Sequence, residues 1–313
     1  MRIVFMGTSD FAAPSLRALA RCHEVALVVT RCDACSGRGL HPSPTPVKTE
    51  ALKLGIPVLE PEKLADPGFV ARLYEISAGL FFVAAFRILP REVFSIPPLG
   101  TVNLHGSLLP DYRGAAPINR AVINGDSETG ITTFFIDEQV DTGDIILTER
   151  ISIGQDETAG ELGARMREIG AELAIRTVDL IALGMAPRIP QPMRGGKPAP
   201  KLFRKDGLID WSRDARSIHN QVRGMNPEPG AFTLWRGGNL KIHRTRVINE
   251  DTPGTPGLAV KASPREGLAV SCGKGKLRLL EVQPPGKKVM DGASFVRGYR
   301  IGEGALITAD EGN

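Results

Sequence analysis

Cysteine is scarce: Cys22, Cys32, Cys35 and Cys272 are the only four in a chain of 313 residues. They are too few and too unevenly spread for a disulfide framework, so reduced thiols are expected. No stretch approaches the roughly 18 uninterrupted apolar residues of a membrane span. The apolar start, Met1-Arg2-Ile3-Val4-Phe5, is too short and too soon interrupted for a signal peptide. These absences predict a cytoplasmic protein with no membrane association. There is no internal repeat. Gly7-Thr8-Ser9-Asp10 follows the first apolar run without making G-x-G-x-x-G, so a dinucleotide is poorly supported, although the turn could approach another ligand.

What is present is enough apolar sequence, 42%, for two domains with separate cores. The charge is unevenly placed. Residues 1–189 carry 18 Lys and Arg against 23 Asp and Glu, whereas residues 190–313 carry 21 against 12. A basic C-terminal part suggests a polyanion contacted there, because Lys and Arg release counterions from phosphates. A merely solubilising basic surface is the alternative.

Residues 2–6 read as a strand, Pro14 opens a helix running through Arg21, and Val25–Val29 reads as the next strand, which makes a βαβ opening. Apolar runs at Leu80–Ala85 and Thr101–Leu104 alternate with helical stretches at Val47–Leu54 and Phe69–Ile76, the pattern of a parallel α/β sheet. Leu162, Met166, Ile169 and Leu173 mark a long amphipathic helix, with a capping start at Asp156-Glu157-Thr158 and a stop at Gly184. Residues 186–207 are rich in Pro, Gly and basic side chains and read as extended linker. Beyond a short helix with Ile218, Val222 and Met225, the runs Phe232–Trp235, Leu258–Val260, Leu268–Val270 and Leu277–Val282 alternate with turns, as in a small antiparallel barrel. The expected organisation is a catalytic domain at 1–189, a linker at 190–209 and a basic domain at 210–313. The expected fold is an α/β Rossmann-like N-terminal domain followed by a smaller antiparallel, OB-like β-barrel.

The chemistry concentrates at Asn103-Leu104-His105 and, further along, at Asp141-Thr142-Gly143-Asp144. In a strand, residues two apart share a face, so Asn103 and His105 point together while Leu104 turns into the core. The following run from Gly106 to Pro117 begins and ends with flexible or φ-fixing residues, as a ligand-hugging loop leading into a helix would. An imidazole relays protons near neutral pH, a carboxamide donates to an oxyanion, and a carboxylate orients the imidazole and stabilises its cation. Spacing alone leaves Asp137, Glu138, Asp141 and Asp144 competing for the carboxylate role. Cys32-x-x-Cys35 with His41 has the ligand count for zinc but lacks a second convincing pair, and no metal is expected.

The run NLHGSLLPDYRGAAPI and the later VDTGDI resemble the folate-dependent formyltransferase family, and Ile209-Asp210-Trp211-Ser212 and Arg223-Gly224-Met225-Asn226-Pro227 extend the resemblance into the second domain. The resemblance implies formyl transfer from 10-formyltetrahydrofolate to the α-amino group of methionine on initiator tRNA. It selects Asp141 and carries over Asn103, His105 and Asp141 as catalytic residues. It matches Ser107, Leu108, Leu109 and Pro110 to the folate-binding segment, and Arg38, within Gly37-Arg38-Gly39, to an arginine that enters the acceptor end of the tRNA. The implied partners are initiator Met-tRNA and folate, and a monomer is expected. The basic clusters Lys274–Arg278 and Lys287-Lys288 would contact the tRNA backbone. The sequence departs from the family pattern at Cys32, Cys35, Leu40, His41 and Arg87.

Overall fold

The apolar run at the amino terminus forms strand β1 (Arg2–Gly7), and Pro14 lies in the first turn of helix α1 (Ala13–Cys22), where its missing N–H breaks no helical bond. The computed structural model describes residues 1–36, 41–192 and 195–307, with side chains for all of these except 34–36 and 41–42. Packing divides the chain into two compact units. The first comprises Met1–Pro117, Thr129–Ser152 and Gly163–Ala199, and the second Ile118–Glu128, Ile153–Leu162 and Pro200–Asn313.

In the first unit β2 (Glu24–Val29) follows α1, and a short antiparallel pair, β3 (Ala34–Ser36) and β4 (His41–Ser43), leads to α2 (Pro46–Lys53). Next come β5 (Val58–Leu59), α3 (Pro67–Ile76), β6 (Leu80–Ala84), α4 (Arg91–Phe94), β7 (Thr101–His105) and the two-residue β8 (Arg113–Gly114). Helices α2 and α3 begin slightly ahead of the apolar pattern. Thr45 accepts the Lys48 N–H and Asp66 the Phe69 N–H, and each cap is followed by a proline suited to a first helical turn. Helix α5 (Pro117–Ile123), nearly all of it in the second unit, then β9 (Glu128–Phe135), β10 (Ile145–Ser152), α6 (Ala159–Ala182), whose first turn also belongs to the second unit, and β11 (Pro198–Ala199) complete the order to residue 199. The start of α6 is a reciprocal cap between Thr158 and Glu161, and Gly184 turns left-handed just past its end, as the sequence pattern predicts.

The main sheet runs β10-β9-β7-β6-β1-β2-β5. Strands β7, β6, β1, β2 and β5 are parallel, and β9 joins β7 antiparallel. The expected Rossmann-like parallel sheet is there, extended at one side by two strands that sequence reading did not assign. The register Val83 to Asn103 sets Asn103 and His105 on the sheet face of Val4, Met6, Phe81 and Val83, which form one core with Leu73 and Val93. Leu104, 2% exposed, faces the other way into buried packing. Among the described residues, no helix is long and apolar enough to cross a membrane.

The second unit is built on α7 (Ala215–Gly224), β12 (Ala231–Trp235), β13 (Gly238–Pro253), β14 (Ala259–Ser263), β15 (Gly267–Ser271), β16 (Lys274–Gln283), β17 (Met290–Asp291) and α8 (Gly292–Tyr299). Its antiparallel sheet runs β12-β13-β16-β15-β14, with β17 beside β16. The barrel closure expected from strand spacing is not formed among the described residues, where β12 and β14 remain the two ends. The reason lies in the helices. α7 packs on β13 and β16, α8 packs on β14, β15 and β16, and the apolar face is covered by Ile218, Val222 and Phe295. Trp235, Phe295 and Tyr299 meet edge-on or tilted, with centroids 5.1 to 5.4 Å apart. Arg223 is buried, and its Nη1 donates to the carbonyls of Gly154 (3.3 Å) and Glu157 (3.1 Å). The Asn226 amide donates to the His243 carbonyl at 2.7 Å. The Arg223–Pro227 motif thus closes this unit's backbone.

The linker read at residues 186–207 is extended but not free. Ile189 and Ile145 exchange backbone hydrogen bonds, and β11 pairs in parallel with β8.

Candidate active site

Asn103 and His105 leave the carboxyl end of β7 on one face, Asn103 half-buried and His105 6% exposed. The imidazole stands between two acceptors. Its Nε2 is 2.9 Å from the Tyr112 carbonyl oxygen and its Nδ1 is 3.7 Å from Asp141 Oδ2. Nε2 is within hydrogen-bond distance of its acceptor, whereas Nδ1 is in ion-pair but not hydrogen-bond range of the carboxylate. Phe134 meets the ring edge-on, with centroids 6.5 Å apart.

The loop beyond β7 is held by its own backbone. Ser107 is buried, and its hydroxyl donates to the Asp111 carbonyl at 2.6 Å. Thr132, opposite His105 on β9, donates to the Ser107 carbonyl (2.7 Å) and accepts the Leu109 N–H (3.2 Å). Leu109 is buried, while Leu108 and Pro110 are half-buried. The segment predicted to bind folate is therefore a hydrogen-bonded shelf just beyond His105. Its Ser107 and Leu109 side chains are occupied in shaping it.

Four carboxylates competed for the partner of the imidazole, and their surroundings separate them. Asp137 caps its own turn, accepting the Gln139 N–H (3.0 Å) and the Thr142 hydroxyl (2.7 Å). Glu138 pairs with Arg91, and Asp144 lies 3.9 Å from Arg188. Asp141 alone of the four faces His105, and the same Oδ2 accepts the Gly114 N–H at 2.8 Å. Its backbone is left-handed, φ 57°. Two residues on, Gly143 sits so close to Phe135 that a Cβ would stand 1.7 Å from the Phe135 carbonyl oxygen, so only glycine lets the turn fold back here.

Sequence reading missed several of the groups that hold this arrangement. Thr132 lies in an unassigned strand, Gln191 carried no motif, and Arg113, although inside the motif run, was given no role. The Gln191 amide donates to the carbonyls of Asp141 (3.2 Å) and Gly143 (2.8 Å), and its oxygen accepts from Arg113. A glutamine in an extended Pro/Gly stretch gives no sequence signal for such a role.

Arg38 and Leu40 lie outside the described residues, as do the side chains of Cys35 and His41. At the base of that segment, hydrogen bonds first to Asp33 and then to Glu60 hold the Lys48 ammonium above its ordinary pKa. Cys32 donates its thiol to the Glu60 carbonyl at 3.1 Å. Arg87 ties two carbonyls, Pro61 at 2.8 Å and Glu62 at 2.9 Å, and so serves as a loop brace.

An imidazole, an amide and a carboxylate at the carboxyl end of a Rossmann-like sheet, beside a glycine- and proline-bounded shelf, are the types of group that acyl-group chemistry calls for. The chain belongs to the formyl transferase family: residues 1–178 match the model for formyl transferase and residues 201–300 that for the formyl transferase C-terminal domain. Within the family the chain is similar over nearly its whole length to methionyl-tRNA formyltransferases. That of Moorella thermoacetica is 47% identical over 98% of this chain and 99% of its own, and that of Symbiobacterium thermophilum is 48% identical over 99% and 96%. The fold is also that of an N-formyltransferase from Helicobacter canadensis solved with folinic acid and dTDP-3-aminofucose, with a TM-score of 0.68 at 21% identity over 88% of this chain and 98% of that one.

Proposed function

We propose that the protein is a methionyl-tRNA formyltransferase, transferring the formyl group of 10-formyltetrahydrofolate to the α-amino group of methionine on initiator tRNA. The observation that carries the reading is the His105 ring, set between the Tyr112 carbonyl and the Asp141 carboxylate with Asn103 on the same strand face. The amine attacks the formyl carbon, and the new C–N bond forms as the carbonyl oxygen becomes an oxyanion. Asn103 donates to that oxyanion, whose charge exists only along the reaction path. His105 takes the proton from the attacking amine and returns one to N10 of the folate as the C–N10 bond breaks. The products are the formylated amine and tetrahydrofolate. Asp141 orients the ring and offsets its positive charge. A shift of under about an ångström from 3.7 Å would turn their contact into a charge-assisted hydrogen bond.

Folate lies against the shelf at Ser107, Leu108, Leu109 and Pro110 in this reading, and Arg38 reaches the acceptor end of the tRNA. The chemistry needs no metal. Residues 1–189 supply the catalytic domain, 190–209 the linker, and 210–313 an OB-like platform for the tRNA backbone. Lys274, Lys276 and Arg278 alternate with buried Leu277 and Leu279 along β16, and Arg246 stands directly across from Arg278 on β13. Like charges directly opposite destabilise a sheet, and a phosphate backbone relieves them. Lys287 and Lys288 extend the basic surface. The reading makes the enzyme a monomeric cytoplasmic component of translation initiation.

The test offers labelled formyl donor with charged initiator tRNA and, in parallel, with an amino-sugar nucleotide. Label is expected on the methionine of the tRNA. Label on the sugar alone would overturn the proposal.

A further inference from the structure

We infer that Gln191 and Arg113 are positioning residues for Asp141. The stretch that sequence reading takes for a linker then acts as a strap fixing both groups that face the His105 ring. This inference rests on the formyl-transfer reading above.

Asp141 holds a left-handed backbone, a conformation uncommon outside glycine though less so for aspartate than for most side chains. Gln191 braces it from outside the loop, donating from Nε2 to the carbonyls of Asp141 and Gly143. An amide can face either way, so something must set its orientation. Arg113 does so, with Nε at 3.3 Å and Nη2 at 2.8 Å from Gln191 Oε1, while Nη2 also reaches the Pro192 carbonyl at 3.1 Å. The residue after Arg113 closes the circuit: the Gly114 N–H donates to Asp141 Oδ2. The carboxylate is thus held at its own oxygen and through its own carbonyl by two neighbouring residues of one loop and a glutamine 48 residues beyond Gly143.

The strap reaches the other side of the ring as well. The Tyr112 carbonyl faces His105 Nε2, and the Tyr112 N–H donates to the Lys197 carbonyl. The Lys197 N–H in turn donates to Asp111 Oδ1 at 2.8 Å. Gly196, at φ 86°, lies so close to Pro110 that a Cβ would stand 2.3 Å from its carbonyl oxygen. Pro198 and Ala199 pair with Arg113 and Gly114. The chain that leads to the second unit is therefore part of the wall that sets the imidazole between its two acceptors.

The test is a double-mutant cycle in the full-length protein, with charged initiator tRNA and 10-formyltetrahydrofolate. Gln191→Met keeps the length of the side chain without its hydrogen bonds. Gln191→Glu keeps an acceptor for Arg113 and removes the two donations to the Asp141 loop. Each is expected to lower kcat about 10- to 100-fold, the effect of an ångström-scale misplacement, with KM for both substrates changed by less than about threefold. Added to Asp141→Asn, Gln191→Met should cost nothing further, because Gln191 acts through Asp141. If Asp141→Asn cripples turnover while both Gln191 variants turn over normally, the strap has no positioning role and the catalytic reading stands. Losses that multiply in the double mutant overturn the inference too, since Gln191 would then act elsewhere. If Asp141→Asn itself leaves turnover unchanged, the catalytic reading falls and takes this inference with it.

Discussion

Replacing Asp141 with asparagine removes one charge and little else, which makes it a clean test of the proposed chemistry. The asparagine oxygen still accepts the Gly114 N–H that Asp141 Oδ2 accepts at 2.8 Å, so the loop stays anchored. What disappears is the negative charge 3.7 Å from His105 Nδ1, between side chains only 7% and 13% exposed. At that separation a unit charge pair is worth about 4 kcal/mol with an effective dielectric of about 20. The amide dipole recovers part of this, leaving about 3 kcal/mol of lost stabilisation for a ring that becomes positive during transfer, or roughly a hundredfold in rate. Single-turnover formylation of charged tRNA with labelled donor measures it directly, with thermal unfolding as the control for the fold. Asp137→Asn should stay close to wild type, because that carboxylate only caps its own turn. Turnover within about threefold of wild type for Asp141→Asn, or an equal loss for Asp137→Asn, would refute the assignment of the carboxylate.

Asn103→Ala should lower kcat by about 10²-fold or more while leaving KM nearly unchanged, because its amide binds charge that develops only in the transition state; a change confined to KM would count against it. Arg38→Ala should slow formylation of charged tRNA about ten- to a hundredfold by removing a charge-assisted contact, without affecting slow transfer to a small amine; equal loss on both acceptors would tie Arg38 to the fold or the folate pocket instead. The second unit should lose stability on both sides of neutrality. Burial, helped by Arg223 and opposed by Asp156, holds the His219 imidazole below its ordinary value. Below about pH 6.5 the unfolded chain therefore takes up a proton that the folded one does not, and stability falls with pH. Burial pushes the Cys272 thiol up to about 12 from its ordinary 9.0, so between those values only the unfolded chain ionises and stability falls as pH rises. Urea midpoints followed by tryptophan fluorescence report on this unit, because Trp211 and Trp235 both lie in its core; an acid limb unchanged in His219→Gln would remove the histidine from the account.

How much of this was legible in advance depends on how local the cause is. The alternation that aims Asn103 and His105 to one side and Leu104 to the other is a property of any strand, and the structure keeps it in β7. The 3.6-residue spacing of Leu162, Met166, Ile169 and Leu173, with its cap at Thr158, specified α6 for the same reason. The barrel was legible only in part. Short apolar runs specify antiparallel strands, but whether the ends meet depends on what covers the sheet, and α7 and α8 cover it.

The choice among Asp137, Glu138, Asp141 and Asp144 was open to spacing because four carboxylates within eight residues are equivalent until the turn folds. A left-handed Asp141 and a Gly143 pressed on the Phe135 carbonyl decide it, and both need β9 in place. Gln191 was invisible, and the role of Arg113 unread within its motif, for a related reason. Their value comes from hydrogen bonds between residues dozens of positions apart, and nothing in a Pro- and Gly-rich stretch marks where it will dock. The sequence by itself determined that Asn103 and His105 share one face of β7, since sterics and periodicity act between near neighbours. Spacing and periodicity left the carboxylate open and only resemblance named Asp141; what brings it to the imidazole and holds it there was decided by the tertiary structure, because hydrogen bonds across long separations exist only after the chain has closed on itself.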